Sequence, residues 1–232
     1  MSDRVLLSRR AFLVGASAIT TAACDSMKPS TGFLGRMERV NERVERALFH
    51  SGSHGPALTA GDETPIASMP AYFISPTMPL EPHNWTLRVG GLVAHPRVFT
   101  KRDLVRMTRT DARIQHHCVE GWSVIESWHG VRLRDIADLV GVDPRVEYVE
   151  FRSFDNGYWS SWDRESALHR DTMLAYGVAG RPLGPEHGAP LRLYSSVKLG
   201  YKNVKYLTEV NFLPTRTGGY WEDMGYEWFA GT

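Results

Sequence analysis

The sequence predicts an α+β domain, and three observations carry that reading. Its apolar runs are short and alternate with polar residues. Gly and Pro punctuate them at close intervals. Its helical stretches are few, brief and interspersed among the strands, with no internal repeat. A length of 232 residues, 42% hydrophobic and 23% charged, fits one globular domain with an appended segment. A formal net charge of +1 lacks the basic excess of a nucleic-acid binder. No apolar run approaches the roughly 18 residues of a membrane-spanning helix.

The elements follow in order. Residues 1–24 read as a twin-arginine export signal: Ser8, Arg9, Arg10, Ala11, Phe12 and Leu13 precede a short stretch of apolar and small residues. That route exports folded proteins, which suits a chain that acquires a complex cofactor before leaving the cytoplasm. Thr21-Ala22-Ala23-Cys24 resembles a lipoprotein cleavage box, although Thr21 stands where leucine is commoner. The expected location is therefore periplasmic, with a candidate lipid anchor through Cys24. Cys118 is the only other cysteine, so no intramolecular disulfide is expected in the processed chain.

Residues 25–50 are expected to form a tether and an N-terminal helix, with the domain proper over 51–232. In the helix Met37, Val40, Val44 and Leu48 recur at spacings of three and four, and its charges are assigned to the solvated face. Ser51–Pro82 lacks periodicity and reads as an ordered arm lying on the domain, since it carries Tyr72, Phe73 and Ile74. Trp85, Leu87 and Val89 alternate as a strand ending in a Gly90-Gly91 turn. Thr100 and Asp103 form a capping box for a short helix through Met107. "LRDIADLVG" is a helix stopped by Gly141 and Pro144. "VEYVEFRSF", "LRLYSSV" and "VKYLTEVNFL" read as strands, the last with Val204, Tyr206, Thr208, Val210 and Phe212 on one face. The closing "GGYWEDMGYEWF" is expected to be a packed tail.

The chemistry concentrates in "IQHHCVEGWSVIESWHGV", residues 114–131. Cys118 has three readings there: a small buried hydrophobe, a nucleophile with His116 or His117 as base, or a thiolate ligand to a soft transition metal. A zinc site is disfavoured, because no second cysteine or His-x-x-x-His spacing accompanies it. A second segment, "EHGAPLRLYSSVKLGYKNVKYL", sets His187, Arg192, Lys198, Lys202 and Lys205 among Gly188, Pro190 and Gly200. Cations among glycines on loops suit a bound phosphate, and taken alone they suit a basic surface loop better. Together with a solitary exported thiol and a folded-export signal they point to a phosphorylated, metal-carrying cofactor.

At these motifs the chain resembles the sulfite oxidase family of molybdenum enzymes, in particular the small bacterial members made of one molybdopterin-binding domain. "HHCVEGWS", "EHGAPLRL", "LGYKNVKYL" and "GGYWEDMGYEWFAG" carry the likeness, which extends over most of residues 35–232. The resemblance implies Mo-molybdopterin as cofactor, with Cys118 as the metal ligand. It implies that His187, Arg192, Lys202, Asn203, Val204 and Lys205 hold the pterin and its phosphate, with Ser153 beside the pterin and Tyr72 and Phe73 closing over it. Glu120 matches an acidic residue near the metal in a reductase branch. The family's sulfite-oxidising members have an arginine soon after the cysteine, whereas Val119, Glu120, Gly121 and Trp122 follow here. Reduction of a neutral oxide such as a sulfoxide is therefore expected, with electrons from an external partner, a membrane or soluble cytochrome. Sulfite oxidation is the alternative. A cofactor-free exported binding lipoprotein is the alternative of another class, and a cysteine hydrolase is more distant.

Overall fold

The computed structural model describes residues 33–49 and 58–232. The twin-arginine motif, Cys24 and most of the tether lie outside the described residues. Among the described residues, no helix is long and apolar enough to cross a membrane.

Along the chain come α1 (Phe33–Leu48), β1 (Leu87–Gly91), β2 (Arg97–Phe99), α2 (Lys101–Arg106), β3 (Thr110–His117) and β4 (Ser123–Arg132). Then follow α3 (Leu133–Val140), β5 (Tyr148–Ser153), β6 (Trp159–Asp163), α4 (Arg164–Ala167) and β7 (Met173–Val178). β8 (Arg181–Pro182), β9 (Arg192–Tyr194) and β10 (Leu207–Leu213) complete the set. One sheet has the order β2-β1-β10-β5-β6, parallel only between β1 and β10. The second runs β3-β4-β7-β8, with β9 also pairing β7. Short strands and short helices in mixed order make the architecture α+β, as expected.

Strand period and helix period meet in the main core. Leu87 and Val89, Val149 and Phe151, and Val210 and Phe212 alternate inward from three neighbouring strands. Against them pack Leu133, Ile136, Ala137 and Val140, one face of α3. Each such side chain contributes on the order of 1.5–3 kcal/mol by leaving water. α3 stops where expected, at Gly141 (φ 65°), whose N–H caps the Ala137 and Asp138 carbonyls. α2 starts at Thr100, whose hydroxyl accepts from the Asp103 N–H while the Asp103 carboxylate accepts from the Thr100 N–H.

Three expectations fail. Val204 and Tyr206 precede the last strand, which begins at Leu207, because Tyr206 takes φ 57° and breaks the extended run. Gly90-Gly91 does not turn the chain: both residues belong to β1, in parallel register with Asn211 and Phe212. Gly91 is required there because at φ 86° a Cβ would strike the Phe212 backbone. The apolar stripe of α1 does not face the core. Met37, Val40, Val44 and Leu48 are 43%, 45%, 52% and 71% exposed. The helix docks instead through Glu42, which accepts from Arg216 at 2.6 Å, and through Phe49, edge-on to Phe229 at 6.1 Å. Its polar side meets the domain because the surface offered to it is cationic and aromatic.

Candidate active site

A cavity of about 430 Å³ opens between the two sheets and the arm, a usual size for a small-molecule site. Cys118 sits in its wall, on the connection between β3 and β4. That connection is a tight turn. The Gly121 N–H bonds to the Cys118 carbonyl at 3.0 Å and the Cys118 N–H to the Trp122 carbonyl at 2.9 Å. Gly121 has φ 87°, a conformation open to glycine at little cost. The β3–β4 hairpin thus lifts the thiol out of the ladder and presents it, half-buried, to the cavity. Burial pushes the thiol's pKa up.

Around it, Glu120 accepts from Trp122 Nε1 at 3.0 Å, and its Oε2 lies 3.8 Å from Cys118 Sγ. Hydrogen bonds from Trp122 and Tyr72 hold its carboxyl below the usual range. His116 is buried and stacked between Trp122 and Tyr194, with ring centroids 5.7 Å and 5.4 Å away. Burial, reinforced by Arg192, drops its pKa to about 3, so it stands as a neutral ring. Gly200 accommodates that ring, since a Cβ there would lie 2.5 Å from His116 Nε2. His117 points elsewhere, 2.9 Å from Ser123 Oγ.

The cationic wall comes from the second motif. Arg192 is 3% exposed, and donates through Nη1 to the His187 carbonyl at 2.9 Å. Its guanidinium covers the rings of Trp128 and Tyr194 at 5.0 Å and 4.8 Å. Its Nε has no hydrogen-bond partner among the described residues. Lys205 reaches the same cavity past Gly188, where φ is 102° and a Cβ would come within 2.8 Å of the lysine's own Cβ. Among the described residues its ammonium donates to the Glu186 carbonyl alone, at 3.2 Å. Burial and the nearby Arg192 lower its pKa to about 7. His187 and Asn203 also line the wall, and burial lowers the His187 pKa. The Asn203 amide is committed to the chain itself, accepting from the Ser195 N–H and donating to the Lys198 and Leu199 carbonyls.

Tyr72 and Phe73 line the cavity as the arm reading expects. What places them was not evident beforehand. Asp155 accepts from the Ile74 N–H at 2.8 Å and the Ser75 N–H at 3.0 Å, clamping the arm to the end of β5. Ser153 lies outside the cavity wall, its hydroxyl accepting from the Asp155 N–H at 2.8 Å, so it organises that clamp. Val204 is a core residue with no exposure.

Lys202 needs correction as a phosphate-binding side chain. It is fully buried on the far side of its segment and donates to the Ser161 carbonyl, the Glu222 carboxylate and the Trp228 carbonyl at 2.8, 2.5 and 2.7 Å. With all three donors spent, nothing remains for a ligand. The C-terminal tail also differs from its expectation: Tyr220, Trp221 and Tyr226 form part of the cavity wall. The aromatic enrichment of the tail was the available signal for that. Asp155, a lone acid after a strand, offered none.

Among the described residues, no three His, Cys, Asp or Glu side chains converge to hold a metal. A metal at Cys118 would therefore bring most of its ligands with it. An Arg192 Nε without a hydrogen-bond partner among the described residues, an under-used Lys205 ammonium and one cysteine thiol in the same cavity wall together suit an anionic, metal-carrying organic cofactor.

Comparison with known proteins reaches the same point. Residues 75–221 match the family model described as oxidoreductase molybdopterin binding domain. A relative from Azospira oryzae, provisionally named protein-methionine-sulfoxide reductase subunit YedZ1, is 34% identical over 230 residues, covering 99% of this chain and 87% of that one. YuiH of Bacillus subtilis, an uncharacterized oxidoreductase, is 36% identical over 61% of this chain and 72% of its own. The protein-methionine-sulfoxide reductase catalytic subunit MsrP of Xanthomonas axonopodis pv. citri is 31% identical over 64% of this chain and 50% of its own length. The sulfane dehydrogenase SoxCD of Paracoccus pantotrophus shares the fold, with a TM-score of 0.57 at 21% identity over 71% of this chain and 57% of that one. With its motifs, its cavity and these relatives in agreement, the chain belongs to the sulfite oxidase-type molybdopterin-binding oxidoreductases, and its cofactor is Mo-molybdopterin.

Proposed function

We propose that this enzyme reduces sulfoxides, with methionine sulfoxide in polypeptides as the substrate class. The observation that carries the reading is the charge beside the thiol. Glu120 faces the cavity next to Cys118, where an oxyanion such as sulfite would need a cation. Two arginines distant in sequence are engaged elsewhere and do not supply one: Arg152 with Glu150 and Arg216 with Glu42. Arg192 and Lys205 remain, on the wall assigned below to the cofactor phosphate. A neutral sulfoxide meets no repulsion from Glu120. The exposed rings of Tyr72 and Phe73 and the half-exposed Val119 make an apolar rim suited to a polypeptide. The names of the relatives from Azospira and Xanthomonas point the same way.

In this reading Cys118 ligates molybdenum, while Arg192 and Lys205 neutralise the cofactor phosphate. His187, Asn203 and the backbone through Val204 shape its seat, and Ser153 acts through Asp155. The bound cofactor supplies two-electron oxygen-atom exchange at one metal. The chain's own residues orient and screen it. Glu120, a carboxylate that accepts from Trp122 and Tyr72, acts as a proton relay between solvent and the cavity, taking up a proton only in passing. The enzyme is exported folded to the periplasm by the twin-arginine route, with a lipid on Cys24. It receives electrons from an external partner, a cytochrome.

The test is direct. Purified holoenzyme is expected to contain about one molybdenum per chain and to reduce dimethyl sulfoxide and an oxidised methionine peptide with an artificial donor. Sulfite oxidation with ferricyanide should be poor. Efficient sulfite turnover would overturn the substrate assignment. Cys118→Ser should lose turnover while the pterin stays bound, and full activity in that variant would remove Cys118 from the metal.

A further inference from the structure

We infer that α1 is a membrane-surface helix whose outward stripe, Met37, Val40, Val44 and Leu48, seats in the headgroup region of an anionic bilayer. Those four residues lie on one side of a 16-residue helix and are 43–71% exposed, while shorter apolar stretches elsewhere in the chain are buried. The charges around the stripe are sorted by sign. Glu38, Glu42 and Glu45 are half-buried along one flank, where Glu42 meets Arg216 of the domain and Arg46 of its own helix and Glu45 lies near Glu227 and Lys198. Arg36, Arg39 and Arg43 are exposed along the opposite flank of the stripe. A helix meant for the interior would not bury its carboxylates and expose its aliphatics. One meant for the interface of an anionic membrane presents apolar and cationic residues together.

Charge complementarity selects lipid over a second copy of the helix, which would bring the same three arginines against the first set. The position in the chain agrees. Phe33 lies nine residues beyond Cys24 (33 − 24), within about 30 Å even when fully extended. A single acyl chain holds a protein to a membrane only marginally, so an anchor there gains from a second, adjacent contact. The helix surface itself does not depend on the export reading, and neither does its test.

Flotation with protein-free vesicles tests the inference. The holoenzyme is compared in a common Cys24→Ser background, so that any lipid is removed and the leader contributes equally to every arm. The parent should float with phosphatidylglycerol-containing vesicles and far less with phosphatidylcholine alone. Val40→Glu with Val44→Glu should lower partitioning at least tenfold. Replacing Arg36, Arg39 and Arg43 with Gln should lower anionic binding by about fivefold per arginine, with little change on neutral vesicles. Sulfoxide reduction with an artificial donor should be unchanged in all of them, since α1 is no part of the cavity wall. Hydrogen exchange at residues 37–48 of the parent should slow on adding anionic vesicles, which checks the contact without any substitution. Equal flotation of parent and stripe variants together with unaltered exchange would overturn the inference. So would a concentration-dependent dimer that the stripe variants abolish.

Discussion

Two pairs of cations lie within one short segment of this protein, three of the four buried and Lys205 half-buried, and they are treated oppositely. Away from the cavity wall, Lys198 lies 3.1 Å from Asp163 and donates to the Phe229 carbonyl, while Lys202 lies 2.5 Å from Glu222 and the Ser161 and Trp228 carbonyls complete its shell. In the cavity, neither Arg192 nor Lys205 forms an ion pair with any described residue, and Arg192 keeps a partnerless Nε. A buried cation is costly unless matched. The first group is matched by the chain and serves as a strut for the C-terminal tail. The second has no ion-pair partner among the described residues, which is what the proposed phosphate seat requires. Burial of positive charge therefore says little about ligand binding until its carboxylates are counted.

The largest effect that sharpens this contrast is expected from the strut. Lys202→Met strands Glu222 in the interior, a change that typically costs about 3–5 kcal/mol. Chemical denaturation should show that loss in cofactor-free and loaded protein alike. A loss confined to the loaded protein would place Lys202 with the ligand group and break the comparison. Lys205→Met should do the reverse. It removes a charge-assisted hydrogen bond to the cofactor worth roughly 1.5–3 kcal/mol, about one to two decades of affinity, read as molybdenum content after purification. The cofactor-free chain should not lose stability.

A buried acid extends the comparison. Glu126 is 1% exposed with an unpartnered Oε1, and burial, aided by Glu63, raises its pKa from 4.5 to about 7. The folded chain holds a proton between those values that the unfolded chain releases, so stability is lost as pH rises from about 4.5 through 7. Glu126→Gln should stabilise by about 1–3 kcal/mol above pH 7 and change little near pH 4. A gap that is flat with pH would show that Glu126 titrates normally.

The smallest expected effect is the pH dependence of Lys205, because the side chain is only half-buried and solvent screens most of its shift. Its pKa falls from 10.5 to about 7 in the empty cavity, so the unfolded chain binds the extra proton between those values. Stability of the cofactor-free protein should rise as pH increases through that window. Lys205→Met should relieve the penalty most below pH 7 and not at all above 10.5. Phosphate binding must recapture the proton, so cofactor affinity should weaken as pH rises above about 7 in the parent only.

Much of this was legible in the residues. Thr100 and Asp103, the face Leu133–Val140 and the stop at Gly141 are local patterns, and local patterns specify local geometry. Cys118, His187, Arg192 and Lys205 were identifiable because their motifs occur in a set order, and each lies on the cavity wall. What tertiary structure alone decided involves partners far away in the chain. Lys202 and Lys205 look equivalent three residues apart, yet Glu222 and the Trp228 carbonyl claim one of them from 20 and 26 residues away. Asp155 clamps an arm 80 residues upstream of it, a pairing that no spacing encodes. The stripe of α1 has the period of a core helix, but period fixes only which residues share a face. Which way that face turns depends on what the rest of the surface offers, and here Arg216 and Phe229 drew the helix in by its glutamates and Phe49.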